Sequence, residues 1–316
     1  MCGIAGYFDR SGAETAVGAR LLAMLTALQC RGPDSSGVAI WGPGSADRLI
    51  VRVKAGSAAP APERVARRFG RVHARAAEGS LVRLEVTTGR PGELAQAIEA
   101  TGADVEVVSI GRRLEIVKQV GAPQNLEAEF GVSKLTGTHG LGHTRLSTES
   151  RVDLSHSQPF WAHGTPDLAI VHNGHITNYH RLRRIYEQDG VRFHTENDSE
   201  IIGIYLARQL AQGASLREAL EASVRELDGS FSYLVGTADA FGFAKDPFCL
   251  KPLIVGESEA GAIAIANEEI ALQAAFSGSY RAREAGAREV GLWSVEVREA
   301  PPARGRRPAP RRRRVA

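Results

Sequence analysis

This sequence predicts an α+β fold in one large domain with an insertion, on three observations. Short apolar strands and amphipathic helices succeed one another from the first residues to about residue 297. A chain of 316 residues with 43% hydrophobic content can bury a large core as one unit. Residues 57 to about 130 differ in character from their surroundings and read as a compact βαββ unit set into the rest.

The first strand is predicted in Met1-Cys2-Gly3-Ile4-Ala5-Gly6-Tyr7-Phe8, where Ile4, Tyr7 and Phe8 anchor an otherwise frayed terminus. Leu21, Leu25 and Leu28 then recur at i, i+4 and i+7 and predict a helix. Cys30-Arg31-Gly32-Pro33-Asp34-Ser35-Ser36-Gly37 breaks that period and leads into a strand over Val38–Trp41. In the insertion, an Ala/Pro segment at 57–62 opens a mostly polar helix. Strands follow at Val82 to Val86, Val105 to Ile110 and Leu114 to Val120, with Leu94 and Ile98 on one helical face between them. Gly140 to Glu149 reads as a strand edge delivering Arg145. Leu168 to Val171 reads as a buried strand entering an Asn173-Gly174 turn, after which Thr177 or Asn178 caps a helix facing inward through Tyr179, Leu182 and Tyr186. Asn197-Asp198-Ser199-Glu200 opens another helix, and Ser215 with Glu218 forms a capping box for the next. Strands at 230–235, 241–244, 253–255, 262–266 and 292–297 complete the body.

Composition narrows the function. Three cysteines are too few for a disulfide framework, and an odd count points to a reducing compartment. No apolar stretch approaches the roughly 18 residues of a spanning helix, and the N-terminus lacks signal-peptide regions, so a cytoplasmic location with no membrane contact is expected. The net charge of +3 hides an asymmetry, because residues 301–316 hold seven arginines and no acid. That Pro- and Arg-rich tail is expected to be disordered, either a plain solvated end or a contact for RNA, anionic lipid or an acidic partner. Nothing else resembles a nucleic-acid site, and no metal-ligand spacing, Gly-rich phosphate loop or flavin motif appears.

Cys2 is the residue with the most chemistry. If Met1 is removed, it carries a thiol with a reference pKa of about 8.5 and a free α-amine of about 7.7 to 8.0. Nucleophile and base then belong to one residue. The alternative is a small residue packed in a first strand. Arg145 suits bidentate capture of a carboxylate. The Asn173 amide and Gly174 N–H can stabilise an oxyanion, or merely close a tight turn. Asp198 can receive an ammonium group or cap its helix. Arg31 and Asp34 either brace a site or belong to a plain connection. Together these groups fit glutamine: an α-carboxylate for Arg145, an α-ammonium for Asp198, and an amide for Cys2 to attack with Asn173 and Gly174 receiving the oxyanion.

The motifs Met1-Cys2-Gly3-Ile4, Arg31 to Gly37, Gly142-His143-Thr144-Arg145, Gln158-Pro159-Phe160, His172-Asn173-Gly174, Asp198-Ser199-Glu200, Lys245-Asp246-Pro247-Phe248 and Lys251-Pro252-Leu253 resemble, in order, those of class II N-terminal-nucleophile glutamine amidotransferases. The resemblance covers the chain except for the insertion and the tail. It implies an αββα sandwich, two antiparallel sheets between helical layers, over residues 2–300, and ammonia release through a γ-glutamyl thioester without a cofactor. It carries the glutamine and oxyanion roles onto Arg145, Asn173, Gly174 and Asp198, and makes Thr148 a carboxylate contact. Glu149 departs from the histidine of the sugar-synthase branch. The chain looks similar to the separate amidotransferase subunit of glutamate synthase-type complexes such as N-methylglutamate synthase, whose flavin and iron-sulfur domains are other chains. Alternatives are a free-standing N-terminal-nucleophile amidohydrolase and a catalytically silent regulatory subunit.

Overall fold

The computed structural model describes residues 2–11, 15–55, 61–147 and 151–294. The tail, Thr148, Glu149 and most of the Ala/Pro segment lie outside them. In chain order the elements are β1 (Gly3–Phe8), α1 (Val17–Ala27), β2 (Ser35–Trp41), β3 (Leu49–Lys54), α2 (Pro62–Ala66), β4 (Arg71–Glu78), β5 (Leu81–Thr87), α3 (Pro91–Glu99), β6 (Glu106–Gly111), β7 (Leu114–Val120), α4 (Pro123–Phe130) and β8 (His139–Arg145). They continue with β9 (Phe160–Trp161), β10 (Ala169–Ile176), α5 (Tyr179–Gln188), α6 (Ser199–Ala211), α7 (Leu216–Glu226), β11 (Gly229–Gly236), β12 (Ala240–Lys245), β13 (Ile254–Ser258), β14 (Ile263–Ala266), α8 (Glu269–Ala275), β15 (Tyr280–Glu284) and β16 (Val290–Ser294).

Two antiparallel sheets face each other. The first runs β15-β13-β14-β1-β8-β2-β7 and the second β16-β12-β11-β10-β9. Phe8 of β1 meets Phe241 of β12 across the gap, ring centroids 5.9 Å apart. Helices α1 and α8 pack on the outside of the first sheet, and α6 and α7 on the outside of the second. Leu21, Leu25 and Leu28 are fully buried under α1, as their spacing requires. Ile202, Tyr205 and Leu206 of α6 join Ile170, Phe231 and Tyr233 in a second core behind β10 and β11. The layers are therefore helix, sheet, sheet, helix, which is the αββα sandwich.

Residues 49–111 leave this body after β2 and return at β7, and β2 and β7 pair with each other. Their four-stranded sheet, β4-β5-β3-β6, takes in β3 and excludes β7, so its limits differ from the expected 57 to 130. The polar helix expected there is a five-residue α2 followed by a strand, β4, nearly all of whose residues are exposed or half-buried. An edge strand with no buried face carries no apolar alternation to read.

Other expectations are corrected. Asn173-Gly174 is not a turn: β10 runs straight through both to Ile176, paired along its length with β11, and that ladder overrides the turn preference of the dipeptide. Asn178 stands at the N-cap of α5 without bonding its helix, donating instead to Glu226 O at 2.9 Å and accepting from Asp228 N at 3.1 Å. Asp198 likewise makes no side-chain cap bond to α6. β8 is an interior strand between β1 and β2, not an edge. The capping box of Ser215 and Glu218 is present. No helix among the described residues is long and apolar enough to cross a membrane.

Candidate active site

Strand alternation brings Cys2 and Arg145 to one face. In β1, Gly6 and Phe8 lie against the second sheet, and the two-residue period carries Cys2 to the same side. In β8, His143 reaches His172 O of β10 at 3.2 Å, so Arg145 two residues on faces that way too. The register pairs Gly3 with Thr144, which sets Cys2 beside Arg145. The Cys2 thiol, half-buried, donates to Leu146 O at 3.7 Å.

Arg31 and Asp34, for which the sequence left bracing and a plain connection open, both bond at this corner. Arg31 Nε donates to Cys2 O at 3.1 Å while its guanidinium pairs with Glu268. Asp34 accepts from Ser147 N at 2.7 Å and its own N–H donates to Arg145 O at 3.0 Å, holding the chain on either side of Leu146. Arg145 is buried, and its guanidinium donates to Arg151 O at 2.9 Å and to Ser147 Oγ at 3.3 Å. Burial lowers its pKa from the ordinary value, against the pull of Cys2 first and then Asp153 and Asp34.

The second sheet supplies the facing wall. Asn173 Nδ2 donates to Cys2 O at 3.2 Å. On β11 the N–H and C=O of Phe231, the residue opposite Gly174, are both bonded to Asp246, so the Gly174 amide is turned away from β11 in the alternation of an antiparallel ladder. The same side of β10 carries His172 N, which donates to Gln158 Oε1 at 2.6 Å, and Ile176 N, which donates to Asp198 Oδ2 at 2.8 Å. Gly174 N–H lies between these two, and no side-chain acceptor meets it among the described residues. Gly174 has φ of 143°, and a Cβ there would stand 2.2 Å from Ser230 O. This backbone belongs to glycine.

Asp198 also lies 3.5 Å from His175 Nδ1 and 3.9 Å from His172 Nδ1. Burial lowers the His172 pKa, Asp198 opposing; its Nδ1 is 2.8 Å from Ser199 Oγ. Burial takes His143 down to about 3. Gln158, the clamp that joins His172 N, His172 O and Ser199 Oγ, stood in a quoted motif but received no role from the sequence. Asn267, which bonds Ile4 N and Pro252 O, had no signal at all, because its partners are remote main-chain atoms. Thr148 lies outside the described residues. For a metal, one group among the described residues has suitably clustered atoms: Glu99, His163 and His194.

Residues 143–274 match the glutamine amidotransferase domain family. A protein of Methanothermobacter thermautotrophicus named among the glutamine amidotransferases is 37% identical over 294 residues, 86% of this chain and 93% of its own length. The glutamine amidotransferase-like protein GlxB of Rhizobium meliloti is 35% identical over 82% of this chain and 87% of its own. The amidophosphoribosyltransferase of Methanocaldococcus jannaschii is 32% identical over 52% of this chain, which is 35% of that enzyme. In fold, the chain is similar to the glutamine phosphoribosylpyrophosphate amidotransferase of B. subtilis, with a TM-score of 0.61 at 20% identity over 95% of this chain and 50% of that one. The chain belongs to the glutamine amidotransferases.

Proposed function

We propose that Cys2, as the mature N-terminal residue, attacks the side-chain amide of glutamine and forms a γ-glutamyl thioester, releasing ammonia; water then releases glutamate. The observation that carries this reading is the placement of Cys2 and Arg145 side by side on the first sheet, opposite the Asn173 amide and the outward Gly174 N–H of the second. In this reading the α-amine of Cys2 takes the thiol proton and returns it to the leaving nitrogen. Asn173 and Gly174 hold the oxyanion of the tetrahedral intermediate. Arg145, with Thr148, receives the α-carboxylate and Asp198 the α-ammonium, while Arg31 and Asp34 fix the corner on which Cys2 stands.

The finer part of the reading is that a separate synthase chain of glutamate synthase type, with flavin and iron-sulfur groups, consumes the ammonia in the cytoplasm. What supports it is the resemblance of the motifs to those of the amidotransferase subunit of glutamate synthase-type complexes. The test is purification of the chain with its native complex. Glutamine-dependent amination of an acceptor, with flavin absorbance in the complex and glutamine turnover faster than in the isolated chain, is the expected result. Turnover equally fast in isolation, with no amination, contradicts it.

A further inference from the structure

We propose that Glu99, His163 and His194 bind one divalent transition-metal ion, which fastens the four-stranded unit to the amidotransferase body. Three segments meet here. Glu99 ends α3 of that unit, His163 follows β9, and His194 lies in the connection from α5 to α6. The Nδ1 atoms of His163 and His194 stand 3.8 and 3.7 Å from Glu99 Oε1, and the three residues each offer one ligand atom within 4.8 Å of the others.

The donor set decides the class of ion. Two imidazole nitrogens and one carboxylate suit zinc, cobalt or nickel, whereas calcium and magnesium prefer oxygen throughout. With metal–ligand bonds of about 2.0 to 2.2 Å, tetrahedral ligand atoms stand about 3.4 Å apart, so the carboxylate needs to shift by only a few tenths of an ångström towards each nitrogen. The imidazoles need more. They are stacked, centroids 3.6 Å apart and planes 12° apart, and each ring must turn about its Cβ–Cγ bond for the two lone pairs to converge. A cavity of about 330 Å³, lined by Gln96, Arg192 and Arg208 beside the three ligands, gives that room and a place for water as the fourth ligand.

Glu99 is 8% exposed, yet no lysine or arginine among the described residues forms an ion pair with it; its carboxylate accepts from Val107 N at 3.2 Å. Of the two arginines at the cavity, Arg208 is paired with Asp189 at 2.6 Å and Arg192 is exposed to solvent. The bound ion would join α3 to the segment in which His194 N and Thr195 N donate to Glu200, at 2.8 and 2.9 Å, just beyond Asp198.

The experiment uses the untagged full chain, stripped with EDTA and titrated with Co²⁺ and then Zn²⁺. One Co²⁺ per chain, with visible d–d absorption displaced by Zn²⁺ and a melting temperature raised by Zn²⁺, is expected. Glu99→Gln, His163→Gln and His194→Gln, each checked for folding by circular dichroism, should each weaken binding by at least about tenfold. Absence of stoichiometric binding by the wild-type chain overturns the proposal whatever the variants do. Binding of wild-type strength in any folded variant removes that residue from the site, and in all three overturns the site itself.

Discussion

Asn173 of β10 donates its side-chain amide to the main-chain oxygen of Cys2 across 3.2 Å, tying the second sheet to the first residue of the first. An amide nitrogen has two hydrogens, so the same group can hold Cys2 in place and offer the other hydrogen to an oxyanion. Asn173→Ala should therefore lower kcat for glutamine hydrolysis by about 100- to 1,000-fold while changing KM little. Steady-state kinetics decide it, and a kcat within threefold of wild type would remove Asn173 from the oxyanion role.

Arg145 should act mainly on binding. A lysine keeps the charge and loses the forked donor geometry, so Arg145→Lys is expected to raise the KM for glutamine by about tenfold or more, with a smaller effect on kcat. The same assay with Asp198→Asn should also raise KM, because the α-ammonium loses its counter-charge. An unchanged KM in either variant takes that residue out of substrate binding.

The backbone at Gly174 is a separate claim. Gly174→Ala puts a Cβ 2.2 Å from Ser230 O at a φ of 143°, and should cost at least about 2 kcal/mol of stability as well as activity. Gly164→Ala is the control: its φ is 85°, but nothing lies within 4 Å of the new Cβ, so the cost should stay near about 1 kcal/mol. Urea midpoints measure both, and equal effects would mean that the close approach of β10 to β11 is not what Gly174 serves.

The pH dependence of stability should carry the mark of a buried neutral histidine. His139 stacks on Trp41 at 4.5 Å, donates from Nε2 to Thr237 O, accepts at Nδ1 from Thr138 Oγ1, and is held by burial at about 3, against 6.5 for an ordinary imidazole. Below pH 6.5 the unfolded chain takes up a proton that the folded chain refuses until about pH 3, so stability falls as pH falls through that window and is unaffected by this group above it. Removing one such proton with His139→Gln should flatten the slope there by about 1.4 kcal/mol per pH unit. Denaturant titrations between pH 6.5 and 4 test it, and a slope identical to wild type contradicts it; His143 and the other buried imidazoles, lowered by burial in the same direction, keep their own share of the slope.

Much of the sandwich was legible because its helices and strands bury one face. Leu21, Leu25 and Leu28 announced α1, and Ile4, Tyr7 and Phe8 announced β1, because period and burial coincide there. β4 was misread as helix because Arg71–Glu78 has no buried side to mark a two-residue period. Asn173-Gly174 was misread as a turn because local preference speaks only for the dipeptide, whereas pairing with Ser232 and Phe231 is made by residues almost sixty positions on.

The site was legible in the same uneven way. The residues used in the proposed mechanism, Cys2, Arg145, Asn173, Gly174 and Asp198 with Arg31 and Asp34 as proposed support, were nameable from residue type and motif. Glu268 and Asn267 were not, since each acts through a contact more than two hundred residues away in sequence. Glu99, His163 and His194 gave no recognisable spacing because they come from three separate segments.

The identity of the nucleophile is the central claim, and one measurement addresses it directly: mass spectrometry of the intact purified chain before and after reaction with a glutamine-analogue electrophile, alongside glutamate and ammonia release. The account predicts a chain lacking Met1, a single adduct mapped to Cys2 that blocks turnover, and a folded Cys2→Ala variant with neither adduct nor activity. An adduct on Cys30 or Cys249, or glutamine turnover by Cys2→Ala within tenfold of wild type, would contradict it.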